Sequence, residues 1–475
     1  MINNLLNKIF LSLSLLIICG TLTAKNRKLP NVIVFIADDA GMDLGAYGNP
    51  HIKTPNLDKM AADGILMNKA FLTTAQCSPS RTSLLSGKFA HTIGTEDLHA
   101  PLPEAVKLLP SYLNEMGYFT SLLMKSHLGP NGDKQFDYRG PGHDVNALEI
   151  FEEMLKNAPD DQPIFSWVGF KDPHRKYGGL DGAAEVHQPD SVVVAPYFVD
   201  TPATRKDIAQ YYDEIHRLDQ NVDGMKQLMT KYGHDKNTIY IYISDNGMPF
   251  PRGKASLYDF GIQTPFIVEW KEQFKGGQQI DEMVSLVNLM PTILDMVDYK
   301  KPVDSYGLSF LPLLEGKQQQ GAEYIFAERN WHDTDAHARC VRSGDYKLIF
   351  NGYADRMYPI TGDYYISDTW FDLLKMKKEG TLTEDQKALF EYPRCQIELF
   401  NLKDDPNETH NLIMEPGYNG IAYELYLKLD EWMKATGDYP SHRKTKADII
   451  DRKSGFFFNR QIELIDYHNL GYIVE

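Results

Sequence analysis

The sequence predicts an α/β protein: a large, mostly parallel central sheet flanked by helices, with a smaller C-terminal α+β domain that contains a short antiparallel sheet. Three observations carry that expectation. Continuous apolar runs, typical of strands buried on both faces, alternate with amphipathic helical segments. Four of those runs end abruptly in polar, titratable residues. After about Gly321 the pattern changes to short strands separated by turn residues. At 475 residues the chain is also too long for one simple core.

Residues 1–24 read as an export signal. Lys8 supplies the basic start, Ile9 to Ile18 is an apolar run too short to span a bilayer, and Ala24 is a small residue suited to cleavage. A lipid anchor at Cys19 is disfavoured, because Ile18 is larger than the small residue expected before it. No other segment is apolar enough to be transmembrane, so the expectation is an exported protein, periplasmic or secreted. A larger domain is placed at 28–320 and a smaller one at 321–475. The net charge of −16 argues against nucleic acid as a partner. A polyanionic substrate would need local cations or a metal to hold it.

Asn31 to Ala37 reads as the first buried strand and ends in Asp38-Asp39-Ala40-Gly41. Thr54-Pro55 opens a helix, Thr54 as its cap and Pro55 as its first residue. Tyr118 to Met124 is a strand leading to Lys125-Ser126-His127. Asn146 to Asn157 is helical, with Ile150, Phe151, Met154 and Leu155 on one face. Ile164 to Phe170 is a strand leading to Asp172-Pro173-His174-Arg175. Thr201-Pro202 starts a long helix that Gly233 stops, and Thr238 to Ile243 is a strand leading to Asp245-Asn246-Gly247. The loop carrying Lys254 runs into another strand. Beyond Gly321, Tyr324–Ala327, Ala338–Arg342, Tyr346–Phe350 and Glu398–Leu402 read as short strands, and Ile421 to Ala435 as an amphipathic helix. Ligands of open α/β sheets bind at the carboxyl ends of strands, so the polar strand ends should converge on one cleft.

The stretch Ala75 to Gly87 contains Cys77-x-Pro79-x-Arg81 followed by Thr82-x-x-Leu85-x-Gly87. It reads as an exposed thiol opening a helix that Gly87 ends. A helix start favours negative charge beside Cys77. The chain has four cysteines. Cys19 leaves with the signal, and pairing of Cys340 with Cys395 is left open. Cys77 is the odd one, which in an exported protein needs a reason. Asp38, Asp39, Asp245 and Asn246 offer only hard oxygen ligands, which suit Ca²⁺ or Mg²⁺. Lys125 and Lys254 are candidate anion ligands, and His127 and His174 candidate acids or bases. Taken singly, each has an ordinary reading as a turn, a solvated lysine or a structural histidine.

Together and in this order, these residues resemble the formylglycine-dependent sulfatases, a family with an alkaline-phosphatase-like fold. The resemblance covers nearly the whole chain after the signal. Cys-x-Pro-x-Arg with the following Leu84-Leu85-x-Gly87 matches the family's modification signal, and Glu398-Leu399-Phe400-Asn401-Leu402 through Asp405-Pro406-Asn407-Glu408 to Asn411-Leu412 resembles its C-terminal signature. Within the family, Asp172-Pro173-His174-Arg175, Val194 to Val199 and Asp245 to Pro251 look most like sulfamidases, which cleave N-sulfoglucosamine in heparan sulfate. Two departures stand out: Met124 where glycine usually precedes the lysine, and Lys254 where a sulfamidase would more typically show arginine. Charge survives the second change, but bidentate geometry does not.

The resemblance implies that a formylglycine-generating or sulfatase-maturing enzyme oxidises Cys77 to formylglycine, whose hydrate is the nucleophile. It implies one calcium ion per chain, held by Asp38, Asp39, Asp245 and Asn246 together with the modified residue 77. Arg81, Lys125 and Lys254 would neutralise the sulfuryl oxygens, with His174 also at the sulfate. His174 would protonate the leaving atom, and His127 would take a proton from the nucleophile's second hydroxyl. The implied substrate is a sulfated polysaccharide or its oligosaccharides. Alternatives are an O-sulfatase on an algal polysaccharide such as ulvan, a phosphatase or phosphodiesterase of the same superfamily, and a non-catalytic glycan-binding protein if Cys77 stays unmodified.

Overall fold

The structure is a computed structural model that describes residues 28–178, 182–333, 336–354 and 361–438. The export segment read at 1–24, Cys19 included, lies outside these residues. Among them, nine strands form the large sheet: β1 (Asn31–Ala37), β2 (Ile65–Phe71), β3 (Phe119–Met124), β4 (Tyr138–Gly140), β5 (Ile164–Gly169), β6 (Thr238–Ser244), β7 (Gln263–Glu269), β8 (Gln278–Ile280) and β9 (Val284–Ser285). Their order is β4-β3-β5-β1-β6-β7-β2-β8, with β9 also on β2. From β4 to β6 all pairs are parallel, and β7 runs antiparallel to both β6 and β2.

The apolar runs behave as expected of strands covered on both faces. Every residue of β1, β3, β5 and β6 is buried. Along β1, Val32, Val34 and Ile36 enter one core with Leu84, Leu85 and Ile293, while Ile33 and Phe35 enter another with Phe151, Ile215 and Met225. Each such side chain contributes roughly 1.5–3 kcal/mol of burial. The helix Cys77–Ser86 therefore lies on one face of the sheet and the 30-residue helix Pro202–Lys231 on the other.

A four-stranded antiparallel sheet follows: β10 (Ile325–Arg329), β11 (Ala338–Ser343), β12 (Tyr346–Asn351) and β13 (Ile397–Asn401), in that order. One face packs under the helix Asn419–Thr436 through Val341, Leu348 and Leu399. The other packs Cys340, Ile349 and Phe400 against Phe71, Leu257 and Ile262 of the larger part. Cys340 and Cys395 are both free thiols. Among the described residues, no helix is long and apolar enough to cross a membrane.

Two local expectations change. Thr54 precedes the helix Pro55–Asp63, but its hydroxyl does not cap it; it accepts Gly45 N–H and donates to Asp58. The apolar pattern does not announce β2, because Asn68 and Lys69 interrupt it and its register on β7 shifts between Met67 and Ala70.

Candidate active site

Strand register brings the polar ends together. Ala37 of β1 lies beside Ser244 of β6, Ile36 beside Gly169 of β5, and Gly169 beside Met124 of β3. The next residues of each strand, Asp38, Asp245 and Lys125, therefore emerge at one edge. β1 sits where strand order reverses, with β5 on one side and β6 on the other, which is where α/β sheets open a crevice. Gly169 keeps this edge passable: a methyl there would lie 2.9 Å from an Arg81 guanidinium nitrogen. Arg81 crosses that space to reach Asp245 at 2.7 Å and the Lys125 carbonyl at 3.1 Å.

Cys77 opens its helix as expected, after Gln76, and Gly87 closes it in the left-handed region at φ 65° with its N–H on Ser83. The thiol is not exposed, however. All ten residues of the helix are buried, because it packs on the sheet face against the helices Leu109–Asn114 and Leu289–Met296. Gln76 donates to the carbonyl of Trp331 at 2.7 Å, tying the helix start to the segment after β10. The Cys77 sulfur lies 3.4 Å from Asp38 Oδ1 and 3.9 Å from Asp39 Oδ1. Burial, with Asp38 and Asp245 nearby, pushes the thiol well above its ordinary range against the pull of Lys125 and Lys254. As a plain cysteine it stays protonated and is a poor nucleophile.

Asp38, Asp39, Asp245 and Cys77 place one ligand atom each within 4.8 Å of one another. Asn246 donates to Asp39 Oδ1 at 2.7 Å, and its own Oδ1 is buried with no hydrogen-bond partner among the described residues. Burial pushes the Asp245 carboxyl up to about 6, with Asp38 and Asp39 adding to the rise and Arg81 and Lys125 opposing it. Burial also raises Asp38, but Lys125, His174, Arg81 and Lys254 reverse this and hold it well below the carboxylate range. Crowded carboxylates beside an unpartnered amide oxygen fit a hard divalent cation such as calcium.

The cations flank this cluster. Lys125 pairs with Asp38, and Lys254 Nζ lies 2.8 Å from Asp39 and 2.9 Å from Asp363. Both remain charged, since their carboxylate partners outweigh burial. Burial and the neighbouring Lys125 push His127 down to about 2, so its ring is neutral. Its Nε2 lies 3.1 Å from His99 Nε2. His174 faces Asp363 instead, with Nε2 at 3.2 Å from Oδ1. Lys125, Lys254, His99, His127, His174 and Asp363 border a cavity of about 780 Å³ with Cys77 in its wall. Six of the nine left-handed non-glycine residues described lie on its loops: Asp39, His99, Met124, His127, Arg252 and Ala255. Such strained backbone gathers where geometry is over-determined by the surroundings.

The structure thus brings together every site residue read from the sequence. Sequence reasoning missed His99, His332, Asp333 and Asp363, which complete the cavity wall. His332-Asp333 is visible as a histidine–acid pair beyond a strand; Asp363 carries no pattern at all. The C-terminal signature does not border the cavity. It lies beneath the loop of Lys254, where Glu408 accepts Asp259 N–H at 2.6 Å and pairs with Lys347 at 2.8 Å, and Arg252 donates to the carbonyls of Asn407 and Glu408.

The family profile described as Sulfatase matches residues 30–299, and that described as N-sulphoglucosamine sulphohydrolase, C-terminal, matches residues 252–361. The chain is 32% identical to human N-sulphoglucosamine sulphohydrolase over 90% of its own length and 93% of that protein. It is 30% identical to an ulvan-active sulfatase of Formosa agariphila, covering 89% of this chain and 84% of the relative. A solved structure in complex with its substrate D-glucosamine-2-N,6-O-disulfate superposes with a TM-score of 0.67 at 19% identity, covering 88% of this chain and all of that one.

Proposed function

The chain belongs to the sulfatase family, and from that premise we propose that it is an exported, calcium- and formylglycine-dependent enzyme that removes the N-sulfo group of glucosamine in a sulfated saccharide. One observation carries the reading: Cys77 sits buried between an all-oxygen carboxylate cluster and three cations, in the wall of a cavity large enough for a saccharide. Similarity to human N-sulphoglucosamine sulphohydrolase over nearly the full length supports the choice of sugar. The sequence pattern of residues 1–24 supports export. Residues 28–320 would form the catalytic domain and 321–475 a smaller subdomain.

Asp38, Asp39, Asp245 and Asn246 would hold the calcium. A maturation enzyme would convert Cys77, and the hydrated formylglycine supplies a hydroxyl nucleophile together with a second hydroxyl that lets the enzyme turn over. The chain's own residues do the rest. Arg81, Lys125 and Lys254 would meet the charge on the sulfuryl oxygens with fixed positive groups in a water-poor site. His174, at the cavity edge, is assigned proton donation to the leaving nitrogen. His127, whose Nε2 lies 3.1 Å from His99 Nε2 in the same cavity wall as Cys77, is assigned proton acceptance near residue 77.

Two observations favour an O-sulfatase reading: Lys254 stands where a sulfamidase would more typically show arginine, and the chain is also similar to an ulvan-active sulfatase. Sulfate release from N-sulfoglucosamine, glucosamine 6-O-sulfate and ulvan oligosaccharides, with the mass of the residue-77 peptide measured in the same preparation, decides between them. Release from the N-sulfated sugar alone is expected, with residue 77 carrying the formylglycine mass. An unmodified Cys77 in active enzyme, or release from O-sulfates only, would overturn the proposal.

A further inference from the structure

A carboxylate in a cavity that receives an anion needs a reason, because it repels the ligand. Asp363 is such a group. It sits on the short helical turn Gly362–Tyr365, which belongs to the C-terminal part of the chain. The turn is firmly held. Asp333 accepts Gly362 N–H at 2.6 Å and pairs with His332 at 2.9 Å, while Tyr364 and Tyr365 are buried in the core beneath.

The two oxygens of Asp363 engage two different groups. Oδ2 lies 2.9 Å from Lys254 Nζ, and Oδ1 lies 3.2 Å from His174 Nε2. Each partner is fixed from its other side as well. Lys254 Nζ is 2.8 Å from Asp39, and His174 Nδ1 meets the carbonyl oxygen of Arg175. A lysine on a four-carbon stem and a half-buried histidine are otherwise mobile side chains. Burial raises the Asp363 carboxyl, but Lys254, His174 and His332 hold it well below the usual range, so the brace is charged.

We propose that Asp363 is a positioning residue that fixes Lys254 and His174 in one geometry at residue 77, a role that rests on the N-sulfatase reading above. The carboxylate belongs to the catalytic machinery through these two groups, not through the sugar. It accounts for an acid in an anion site: its two oxygens are engaged by Lys254 and His174, and both are set before substrate arrives. It also makes the site incomplete without the C-terminal part.

A double-mutant cycle on the matured enzyme tests this, with N-sulfoglucosamine as substrate. Asp363→Asn should lower kcat by about 100-fold and change KM by less than about threefold, since a displaced reacting group costs rate more than affinity. In a His174→Ala background the same change should cost only about tenfold, because one of its two targets is gone. An equal loss in both backgrounds, or a raised KM with kcat intact, would overturn the proposal in favour of independent action or direct sugar recognition. Asp363→Ser serves the same cycle if the asparagine variant loses its circular dichroism signal. Wild-type assays on glucosamine 6-O-sulfate separate the two readings. If only that sugar is cleaved, the N-sulfatase reading falls, and the cycle is read on the O-sulfate instead.

Discussion

The floor and the wall of the cavity are built in different ways. The floor is the buried cluster of Asp38, Asp39, Asp245 and Asn246 around Cys77, held by adjacent parallel strands whose last residues pair in register. Asp245 N–H donates to the Ala37 carbonyl at 3.1 Å, continuing the strand pairing, and Asp39 N–H donates to Asp245 Oδ1 at 3.2 Å, so the strand-end backbone sets the floor. The wall includes His99, from the part of the chain that builds the larger sheet, and His332, Asp333 and Asp363, from the part that builds the smaller one. Its members are set by side-chain contacts. The difference teaches where rigidity comes from: the floor inherits it from the sheet, and the wall has it only while the C-terminal part stays docked.

The largest effects should come from the floor and the residue it faces. Cys77→Ala is expected to abolish turnover with the melting temperature nearly unchanged, because removing one sulfur leaves the buried helix intact. Residual sulfate release above about one part in a thousand of wild type would break the assignment. Asp245→Asn should come next, weakening calcium affinity by roughly 100-fold. Titration calorimetry measures that loss, and activity should return as calcium is raised. If chelated wild-type enzyme keeps full activity, the floor is not a metal site.

The same contrast governs what is legible in the sequence. A buried parallel strand is a local pattern, and its end is marked by the first charged residue. Asp38, Lys125 and Asp245 therefore stand out as strand ends from the order of residues alone, and His174 follows a few residues beyond one. Lys254 is visible through the family resemblance and not through periodicity. The wall has no such signature. Asp363 lies 286 positions from Cys77, on a four-residue turn with no apolar rhythm, and only docking of the two sheets brings it near. The thiol's burial is equally hidden. A helix with small polar residues all round reads as a surface helix, and here it is enclosed on every side.

A smaller effect is expected where the wall is fastened. Glu408 sits under the Lys254 loop among Lys347, Asp259 and Arg252, and burial together with Asp259 raises its carboxyl to about 7 against the pull of Lys347. Glu408→Gln keeps the shape and removes the charge. It should lower kcat by about tenfold through Lys254 and cost about 1–3 kcal/mol of stability. Calcium affinity should stay at the wild-type value. A parallel fall in calcium affinity would mean that floor and wall are not separable.

The smallest catalytic effect belongs to the seam between the two parts, where only stability should respond. His91, beside the Cys77 helix, pairs with Glu328 of β10 at 3.0 Å. Burial raises the Glu328 carboxyl, yet His91 and then Arg339 reverse this and bring it from 4.5 down to about 2. His91 is raised from 6.5, Glu328 outweighing the opposing burial. A depressed carboxyl stabilises the fold above its unfolded value and loses that contribution as pH falls from 4.5 toward about 2. A raised histidine stabilises fully below 6.5 and fades as pH rises through its folded value. Both contributions are complete only between 4.5 and 6.5. Glu328→Gln should therefore lower stability most in that window, by about 3 kcal/mol, with the gap to wild type narrowing on both sides. Chemical denaturation at a series of pH values measures it. A gap that is flat with pH would show that the pair is not ionic, and a fall in kcat would show that the seam reaches the cavity after all.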